Sequence, residues 1–347
     1  MGQSLTFADV FPELSGPGLS GPTARRVFDA IFSGTWTPAQ IAGLLIALEL
    51  RPKSPEVVSA AAGALRAQMV AVNHGLPLTF DTCGTGGDGQ STLNVSTGAA
   101  LIVAAAGVPV AKHGNRAASS RCGSADVLSA LGISLEVPAE AQAGVLGQAN
   151  IAFLYAPNHH PAMRFAGPPR RELGVRTLFN VLGPLANPAR ATHQLLGAFS
   201  DDVRKLMAAA LRDLGVTRAW VVHGSDGLDE ISPFAPTRVT VVEQGSLRET
   251  QISPADFGLE LSPKGAIAGG EPAENAQAIE RILAGEPHPA RMAFVLNAAA
   301  ALVIARGLTP KDAAALARST LDEGHALRTL ERWRSVAAAN AVKPPSP

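Results

Sequence analysis

Residues Asp81–Asp126, DTCGTGGDGQSTLNVSTGAALIVAAAGVPVAKHGNRAASSRCGSAD, contain three short motifs rich in glycine, hydroxyl or basic residues. The first is the glycine loop Gly84–Gly89, in which four glycines in six residues let backbone N–H groups turn toward one point without interference from Cβ atoms. The second is Asn94–Gly98, NVSTG, directly before an apolar run. Ser96 or Thr97 is predicted to cap a helix here, which leaves free N–H groups and a positive dipole end for an anion.

The third motif is Lys112–Arg116, KHGNR, which follows the short apolar run Val108–Ala111. A predicted strand that ends in Lys, Gly, Asn and Arg supplies two positive charges and further hydrogen-bonding groups. The glycine loop alone is equally consistent with a tight strand–helix turn, because GTGGD is neither GxGxxG nor GxxxxGKS/T. Three such motifs in one strand–loop–helix–strand–loop unit favour the binding of a phosphorylated ligand, because they can converge at one end of a sheet.

The composition excludes several classes of protein. The chain has 347 residues, 46% hydrophobic and 17% charged, enough for two domains or for one large domain with an appendage. Lys plus Arg and Asp plus Glu both number 29, so the net charge of zero predicts no nucleic-acid partner. Cys83 and Cys122 lack metal-ligand spacing and indicate a reducing compartment. The N-terminus resembles no signal peptide and the apolar runs are short, which predicts a cytoplasmic protein without membrane contact.

The pattern of apolar residues changes near residue 79. Residues 22–72 are predicted to form helices only, and their apolar surface exceeds what one face needs, which predicts a subunit interface. Beyond residue 79 short apolar runs alternate with helical segments, which is typical of an α/β fold. The predicted fold is a small all-helical N-terminal domain, residues 1–77 joined by part of 165–190, and a large α/β domain, residues 78–347, with a mostly parallel central sheet covered by helices.

Individual elements follow from the same pattern. Strands are predicted at Val108–Ala111, Ile151–Tyr155, Ala219–His223 and Thr237–Val242. Helices of the α/β domain are predicted at Gly98–Ala106, Ser124–Leu131, Ala139–Gln148, Asp202–Leu214, Pro272–Leu283, Ala290–Arg306, Pro310–Thr320 and His325–Ala338.

The segment 158–188 is rich in Pro, Gly and Arg, and we expect it to return to the helical domain or to bridge the two domains. Its four arginines form surface ion pairs, or one of them holds a substrate carboxylate by a bidentate pair, and the residues alone leave this choice open. They are Arg164, Arg170, Arg171 and Arg176. His159 and His160 have no Cys or acid at metal-ligand spacing, so we expect them to line a cleft.

Asp229 and Glu230 follow the predicted strand Ala219–His223. Adjacent carboxylates usually lie in a solvated loop, but here they are expected beside the three motifs of residues 81–126. Two carboxylates near a polyphosphate typically hold Mg²⁺, with Ser96 Oγ as a further ligand. Because neighbouring side chains point in different directions, each acid can serve a different ion. No nucleophile–base constellation is visible, which argues against a covalent intermediate.

The motifs GTGGDG, NVST, KHGNRA, GSADVL, HHPAM, RRELGVRTLFNVLGPLANP and VVHGSDGLDEIS occur in this order. These motifs carry a resemblance of nearly the whole chain to the anthranilate phosphoribosyltransferases. That family comprises the tryptophan-pathway members of the nucleoside-phosphorylase-like (class III) phosphoribosyltransferases. The resemblance implies transfer of 5-phosphoribosyl from phosphoribosyl pyrophosphate to the amine of anthranilate, with release of pyrophosphate, in the second step of tryptophan synthesis from chorismate. It also implies a homodimer, formed here through the N-terminal helices, and Mg²⁺ as cofactor, with two ions expected.

The resemblance also implies the site residues. Those for phosphoribosyl pyrophosphate are Gly84, Gly87, Asp88, Thr92, Asn94, Val95, Ser96, Thr97, Lys112, His113, Gly114, Asn115, Arg116, Ala117, Ala118, Ser119, Ser120 and Ser124. Those for anthranilate are Gly84, Asn115 and Arg170, and those for the metal are Ser96, Asp229 and Glu230. No covalent catalyst is implied, and Lys112 with the metal is expected to stabilise the leaving group.

Two other functions remain open from the residues. A pyrimidine nucleoside phosphorylase would share the fold, but the adjacent Asp229 and Glu230 and the lack of an extended C-terminal domain argue against it. A relative without catalytic activity that binds nucleic acid would need a basic surface, which the net charge of zero does not provide.

Overall fold

The computed structural model describes residues 5–117 and 121–342. Four helices come first: α1 Phe7–Ser15, α2 Gly21–Phe32, α3 Pro38–Glu49 and α4 Pro55–Ala67. The last three begin in the same way, with a Ser or Thr at the N-cap and a Pro in the first turn. These caps satisfy orphan N–H groups and fix the entry angle, so the predicted helices here are confirmed. Helix α1, which begins with a capping box from Thr6 to Asp9, was not predicted.

One seven-stranded sheet organises the rest of the chain. Its strands are β1 Phe80–Gly84, β2 Val110–Gly114, β3 Ile151–Tyr155, β4 His193–Gly197, β5 Arg218–Gly224, β6 Thr237–Glu243 and β7 Ser246–Ile252. Their order is β3-β2-β1-β4-β5-β6-β7. Strands β1 to β5 are parallel, and the last two pair antiparallel. The prediction of a mostly parallel sheet is therefore confirmed.

The other helices lie between and after the strands. They are α5 Val95–Ala105, α6 Ser124–Ala130, α7 Gln142–Ala149, α8 Ala156–His159, α9 Met163–Leu173, α10 Phe179–Leu182, α11 Asp201–Asp213, α12 Pro272–Leu283, α13 Arg291–Arg306, α14 Pro310–Asp322 and α15 His325–Asn340. Helices α5, α7, α11 and α13 contact the sheet directly. Helix α5 packs closely on α13, because Gly98 lets the Phe294 ring approach its backbone.

Two predicted boundaries were wrong. Lys112 lies inside β2, since that strand begins two residues later than Val108 and runs to Gly114. Neither Ser96 nor Thr97 caps α5, because the helix begins at Val95 and Asn94 is the cap residue. The Asn94 side chain makes no cap bond. It donates to the Cys122 carbonyl oxygen at 3.1 Å and accepts from Asn275 Nδ2 at 3.0 Å, so it connects loops instead.

The buried apolar side chains form two clusters. One joins α5, α13 and α15 to one face of the sheet. The other joins α1 to α4, the segment around α9 and α10, and α11 on the opposite face of the sheet. Helix α9 packs on α2 and α3, and Phe179 lies 6.1 Å from the rings of both Phe28 and Phe32. The segment predicted to return to the helical region therefore packs within it. The domain boundaries at residues 77 and 78 stay a prediction.

Within residues 5–117 and 121–342, no single helix is long and apolar enough to cross a membrane. The pair α13 and α14 passes that test together, but it is bent by 119°.

Candidate active site

A large cavity lies where the strand order reverses. Strands β2 and β3 extend to one side of β1, whereas β4 and β5 extend to the other, and parallel sheets bind ligands outside the carboxyl ends of such strands. The cavity has a volume of about 1200 Å³. It is lined by the ends of β1 and β2 on one side and by Leu65, Met163 and Phe179 of the helical region on the other. Ligand pockets typically have roughly 300–1000 Å³, so this one has room for two small molecules.

The structure brings together nearly all the residues predicted for the site. Those that line the cavity are Gly84, Gly87, Asp88, Thr92, Asn94, Ser96, Thr97, Lys112, His113, Gly114, Asn115, Arg116, Ala117, Ser124, Arg170, Asp229 and Glu230. Val95 does not line it, because its side chain is buried in the core. Ala118, Ser119 and Ser120 lie outside the described residues. The role of each residue stays a prediction.

The glycine loop depends on glycine geometry. Gly86 and Gly87 have φ of +63° and +77°, a region that side chains with a Cβ rarely adopt. The loop is anchored at its start by the Thr85 N–H, which donates to the Gly197 carbonyl oxygen at 2.9 Å. The Gly86 N–H then donates to Asp229 Oδ2 at 2.8 Å. The loop is thereby attached to both β4 and the acidic pair.

The acidic pair is buried behind the loop. A Cβ on Gly197 would overlap the Asp229 carbonyl oxygen, so glycine at the end of β4 allows the acidic segment to lie against the sheet. Glu230 Oε1 accepts from the Ser96 N–H at 3.2 Å, which ties the pair to the first turn of α5. From the other side, the Asn297 side chain both donates to and accepts from the Ile231 backbone, at 3.1 Å each.

Burial makes the charged forms of these acids costly. Burial, together with the smaller effect of nearby Asp88, raises the pKa of Asp229 to about 7. It raises the pKa of Glu230 to about 8, with a further contribution from Asp229. Asp88 Oδ2 is buried and has no hydrogen-bond partner among the described residues. Carboxylate oxygens are the ligands that Mg²⁺ prefers, so the residues present fit the predicted ion.

The acids do not converge on a single point. Within the described part of the chain, no three His, Cys, Asp or Glu side chains are grouped closely enough to hold one metal ion between them. Asp229 is directed to Gly86 and Glu230 to Ser96, so the two carboxylates serve different neighbours. The prediction that they bind separate ions stays a prediction.

Lys112 is a buried cation beside these acids. Only 1% of it is exposed, and its ammonium donates to the Thr82 carbonyl oxygen and lies 3.4 Å from Ser96 Oγ. Burial lowers the pKa of Lys112, whereas the carboxylates of Asp81 and Glu230 raise it. Lys112 is therefore not a solvated surface residue.

Asp81, a residue that the sequence did not single out, is also fully buried. Its Oδ1 accepts from the His113 N–H at 3.1 Å, and its Oδ2 accepts from Asn187 Nδ2 at 2.8 Å. Burial raises the pKa of Asp81, and Lys112 lowers it. The Asp81 carboxylate thus orders the end of β2, where Lys112 and His113 lie.

Three histidines lie under the helical side of the cavity. His113 Nδ1 donates to the Gly183 carbonyl oxygen at 3.1 Å, and its Nε2 lies 3.2 Å from His160 Nε2. His159 Nδ1 donates to the Val70 carbonyl oxygen at 2.8 Å. His160 lines the cavity as predicted, but His159 is fully buried and does not, so that prediction was wrong. Burial lowers the pKa of all three, that of His160 to about 4.

All four arginines of segment 158–188 line the cavity, and three of them stack on aromatic rings. Arg164 lies 4.7 Å from the centre of the Phe165 ring, Arg170 5.0 Å from that of Phe179, and Arg176 4.6 Å from that of Phe199. Arg170 is half-buried, and burial lowers its pKa. An aromatic ring that fixes a guanidinium plane prepares it for a planar anion such as a carboxylate.

Sequence reasoning missed the contact of Arg176 with the glycine loop. Arg176 Nη2 donates to the Gly87 carbonyl oxygen. No local pattern signals this pair, because the two residues are 89 positions apart. Asn297 was missed for the same reason, since it reaches Ile231 from α13.

The fold and the site together define a glycosyl transferase built from a helical bundle domain and an α/β domain. Residues 14–69 match the helical bundle domain of the glycosyl transferase family, and residues 76–327 match its a/b domain. An anthranilate phosphoribosyltransferase of Methylocella silvestris is 46% identical over 333 residues, which are 96% of this chain and 95% of that protein. The chain belongs to the anthranilate phosphoribosyltransferase family, and the resemblance seen in its motifs is thereby confirmed.

Solved structures agree with this assignment to the family. The crystal structure of anthranilate phosphoribosyltransferase from Thermus thermophilus is similar with a TM-score of 0.89 and 43% identity, covering 95% of this chain and 99% of that one. The Saccharomyces cerevisiae enzyme in complex with phosphoribosyl pyrophosphate and Mg is similar with a TM-score of 0.87 and 28% identity, covering 96% and 98%. The same enzyme with 4-fluoroanthranilate has a TM-score of 0.85 at 28% identity, covering 96% and 99%.

Proposed function

We propose that this chain transfers the 5-phosphoribosyl group from phosphoribosyl pyrophosphate to the amine of anthranilate, giving N-(5-phosphoribosyl)anthranilate and pyrophosphate. The observation that carries the proposal is the meeting, in one cavity, of the glycine loop, the first turn of α5, buried Lys112 and the pair Asp229–Glu230. This is the activity that the motifs imply and the activity by which the matched relatives are named.

The chain's contribution to the departure of pyrophosphate is electrostatic. Negative charge builds on the pyrophosphate oxygens as the bond to ribose C1 breaks. The glycine-loop amides, the first turn of α5, whose cap residue Asn94 makes no side-chain cap bond, and Lys112 place fixed positive charge around one region, where it needs no reorganisation during the reaction.

Ser96, Asp229 and Glu230, with Asp88 nearby, are the residues that would hold Mg²⁺. When bound, the ion supplies positive charge to the pyrophosphate. The yeast relative in complex with phosphoribosyl pyrophosphate and Mg supports this use of the metal, and two ions remain our prediction.

Anthranilate is proposed to bind between Arg170, Asn115 and Gly84. The Arg170 guanidinium, held over Phe179, matches a carboxylate in shape and charge. The yeast relative in complex with 4-fluoroanthranilate supports a substrate of this class. Positioning the amine against ribose C1 is the second contribution of the chain, because it replaces an encounter in solution by a fixed geometry.

Anthranilate fluorescence tests the proposal. Protein, phosphoribosyl pyrophosphate and Mg²⁺ are mixed with anthranilate, and the signal is followed over time. We expect a loss of fluorescence that requires protein, phosphoribosyl pyrophosphate and metal together. If a folded protein leaves the signal unchanged, the proposal is wrong, and an assay with nucleoside and phosphate then tests the phosphorylase.

Three further parts of the proposal concern the whole chain. The division into a helical domain, residues 1–77 with part of 165–190, and an α/β domain, residues 78–347, is supported by the separate matches of residues 14–69 and 76–327 to a helical bundle domain and an a/b domain. A homodimer through the N-terminal helices is supported by exposed Phe11 and Leu50. A cytoplasmic location stays a prediction from composition.

A further inference from the structure

We propose that Arg176 is a positioning residue for phosphoribosyl pyrophosphate, which holds the glycine loop so that the Asp88 N–H stays available to an anion. Arg176 lies between α9 and α10, on the helical side of the cavity. This inference rests on the function proposed above, since it assigns a residue to the same substrate.

The Arg176 guanidinium is fixed from two directions. Its face lies over the Phe199 ring, with 4.6 Å between Cζ and the ring centre. Its Nη2 donates to the Gly87 carbonyl oxygen. An arginine that only balanced surface charge would need neither contact, and this one has no carboxylate partner among the described residues. The side chain is therefore used to hold the loop.

The loop needs an anchor at this point. Gly86, Gly87 and Gly89 all have φ above +60°, and as glycines they have no side chain of their own to restrict the backbone. Its other anchors come from the sheet side, through Gly197 and Asp229. Arg176 is the anchor from the helical side, and its neighbours Leu178 and Phe179 are buried in the helical cluster. The loop is thus held between the two halves of the molecule.

Fixing the Gly87 carbonyl also fixes the next N–H group. The peptide bond is planar and trans, so the Gly87 carbonyl and the Asp88 N–H point in opposite directions. With the carbonyl directed to Arg176, the Asp88 N–H faces away from that residue, and no hydrogen bond uses it within the part of the chain that is described. Asp88 Oδ1 accepts from the Gln90 N–H at 3.0 Å, which restrains the same turn. An uncommitted N–H on a restrained turn is a ready anion donor.

The consequence for binding is specific to one substrate. Without Arg176 the Gly87–Asp88 peptide can rotate, and phosphoribosyl pyrophosphate must order it on binding. Anthranilate is proposed to bind elsewhere in the cavity, at Arg170 and Asn115. Loss of Arg176 should therefore weaken the binding of phosphoribosyl pyrophosphate and leave the binding of anthranilate nearly unchanged.

The test compares Arg176→Gln, Arg176→Lys and a matched control. Arg281→Gln removes an arginine of α12 from an exposed ion pair with Glu286, and neither residue lines the cavity. We expect Arg176→Gln to raise the KM for phosphoribosyl pyrophosphate roughly tenfold or more, the effect of losing a hydrogen bond from a charged donor. The KM for anthranilate should change less than about twofold. Arg176→Lys should recover part of the loss, because an ammonium can still donate to the carbonyl oxygen.

A second readout uses the free protein. Hydrogen exchange of the peptide that covers the glycine loop should accelerate in Arg176→Gln and not in Arg281→Gln, while the midpoint of thermal unfolding stays close to that of the wild type. Equal changes in both KM values, or an unchanged loop exchange, would overturn the inference. Inactive wild-type protein would instead contradict the proposed function, so the two failures are distinguishable.

Discussion

Arg170 and Arg176 lie on one short segment, yet they contact different parts of the cavity. Arg170 stacks on Phe179, whereas Arg176 stacks on Phe199 and donates to the glycine loop. We expect Arg170→Ala to raise the KM for anthranilate at least about tenfold, because a charged, bidentate partner of the carboxylate is lost. The KM for phosphoribosyl pyrophosphate should remain nearly unchanged. Steady-state kinetics with each substrate varied in turn measures both, and equal losses for the two substrates would contradict the assignment.

The buried histidines predict loss of stability in acid. The folded-state pKa of His160 is about 4, and burial also lowers those of His159 and His113, the latter with help from neighbouring His160 and Lys112. An unfolded histidine titrates near about 6.5, so the unfolded chain binds more protons below that pH. The contribution of these histidines to the free energy of unfolding should fall as the pH drops from about 6.5 toward 4, by up to about 1.4 kcal/mol per pH unit for each histidine. The raised pKa values of Asp229 and Glu230 act in the opposite direction over the same range.

Urea unfolding between these pH values tests the point with two variants. His160→Gln should reduce the dependence of stability on pH, whereas His325→Gln, on the exposed start of α15, should retain the wild-type dependence. If both variants keep the wild-type dependence, the buried histidines are not its source.

Individual residues were predictable where their motif is local. The glycine loop, the KHGNR stretch and the Asp229–Glu230 pair meet at one edge of the sheet, because parallel strands deliver their carboxyl ends to the same place. Arg176 was not predictable in this role, since its partner is a backbone carbonyl distant in sequence. The cap of α5 was misassigned because Asn94 uses its side chain for tertiary contacts.

Helix α5 depends on a close crossing with α13. A Cβ on Gly98 would overlap the Phe294 ring, which is buried and cannot move aside. We expect Gly98→Ala to destabilise the protein by about 1–3 kcal/mol, despite the better helix propensity of alanine. Gly147→Ala in α7 is the control, because nothing lies near its Cβ position. It should be neutral or stabilising by up to about 1 kcal/mol. Denaturant unfolding measures the stability of both variants. Similar changes in the two would exclude the overlap with Phe294 as the cause.

Helices were easier to predict than strands. Helix α12 was predicted at its observed bounds, and α13 within one residue, because long periodic segments with caps carry a strong signal. Strands β4 and β7 were missed, and β1 was implied only as the strand before the glycine loop, without bounds. Strand β4, HQLLG, has only two apolar side chains, and β7 exposes nearly all its side chains at the sheet edge, so it shows no burial pattern. Its charged residues also protect that edge from pairing with another chain.

The molecule as a whole exposes large apolar side chains on its N-terminal helices. Leu50 is 82% exposed at the end of α3, and Phe11 is 55% exposed on α1. In the proposed homodimer these residues lie in the interface, so Leu50→Glu should shift the protein toward monomer at micromolar concentration. Leu261→Glu is the matched control, since Leu261 is 63% exposed but belongs to the α/β part. Sedimentation velocity over a range of concentrations measures both, and a wild-type monomer at every concentration would contradict the dimer.

The pairing of β1 with β4 has a consequence for synthesis. The centre of the sheet cannot form until residues 193–197 have left the ribosome, although β1 was made long before. The same delay affects the first helices, because Phe28 and Phe32 pack on Phe179. Partner segments far apart in sequence slow folding and leave apolar surface uncovered meanwhile. Ordered folding of the nascent chain should therefore begin only after more than half of it has been translated, and until then the early helices are natural clients for chaperones.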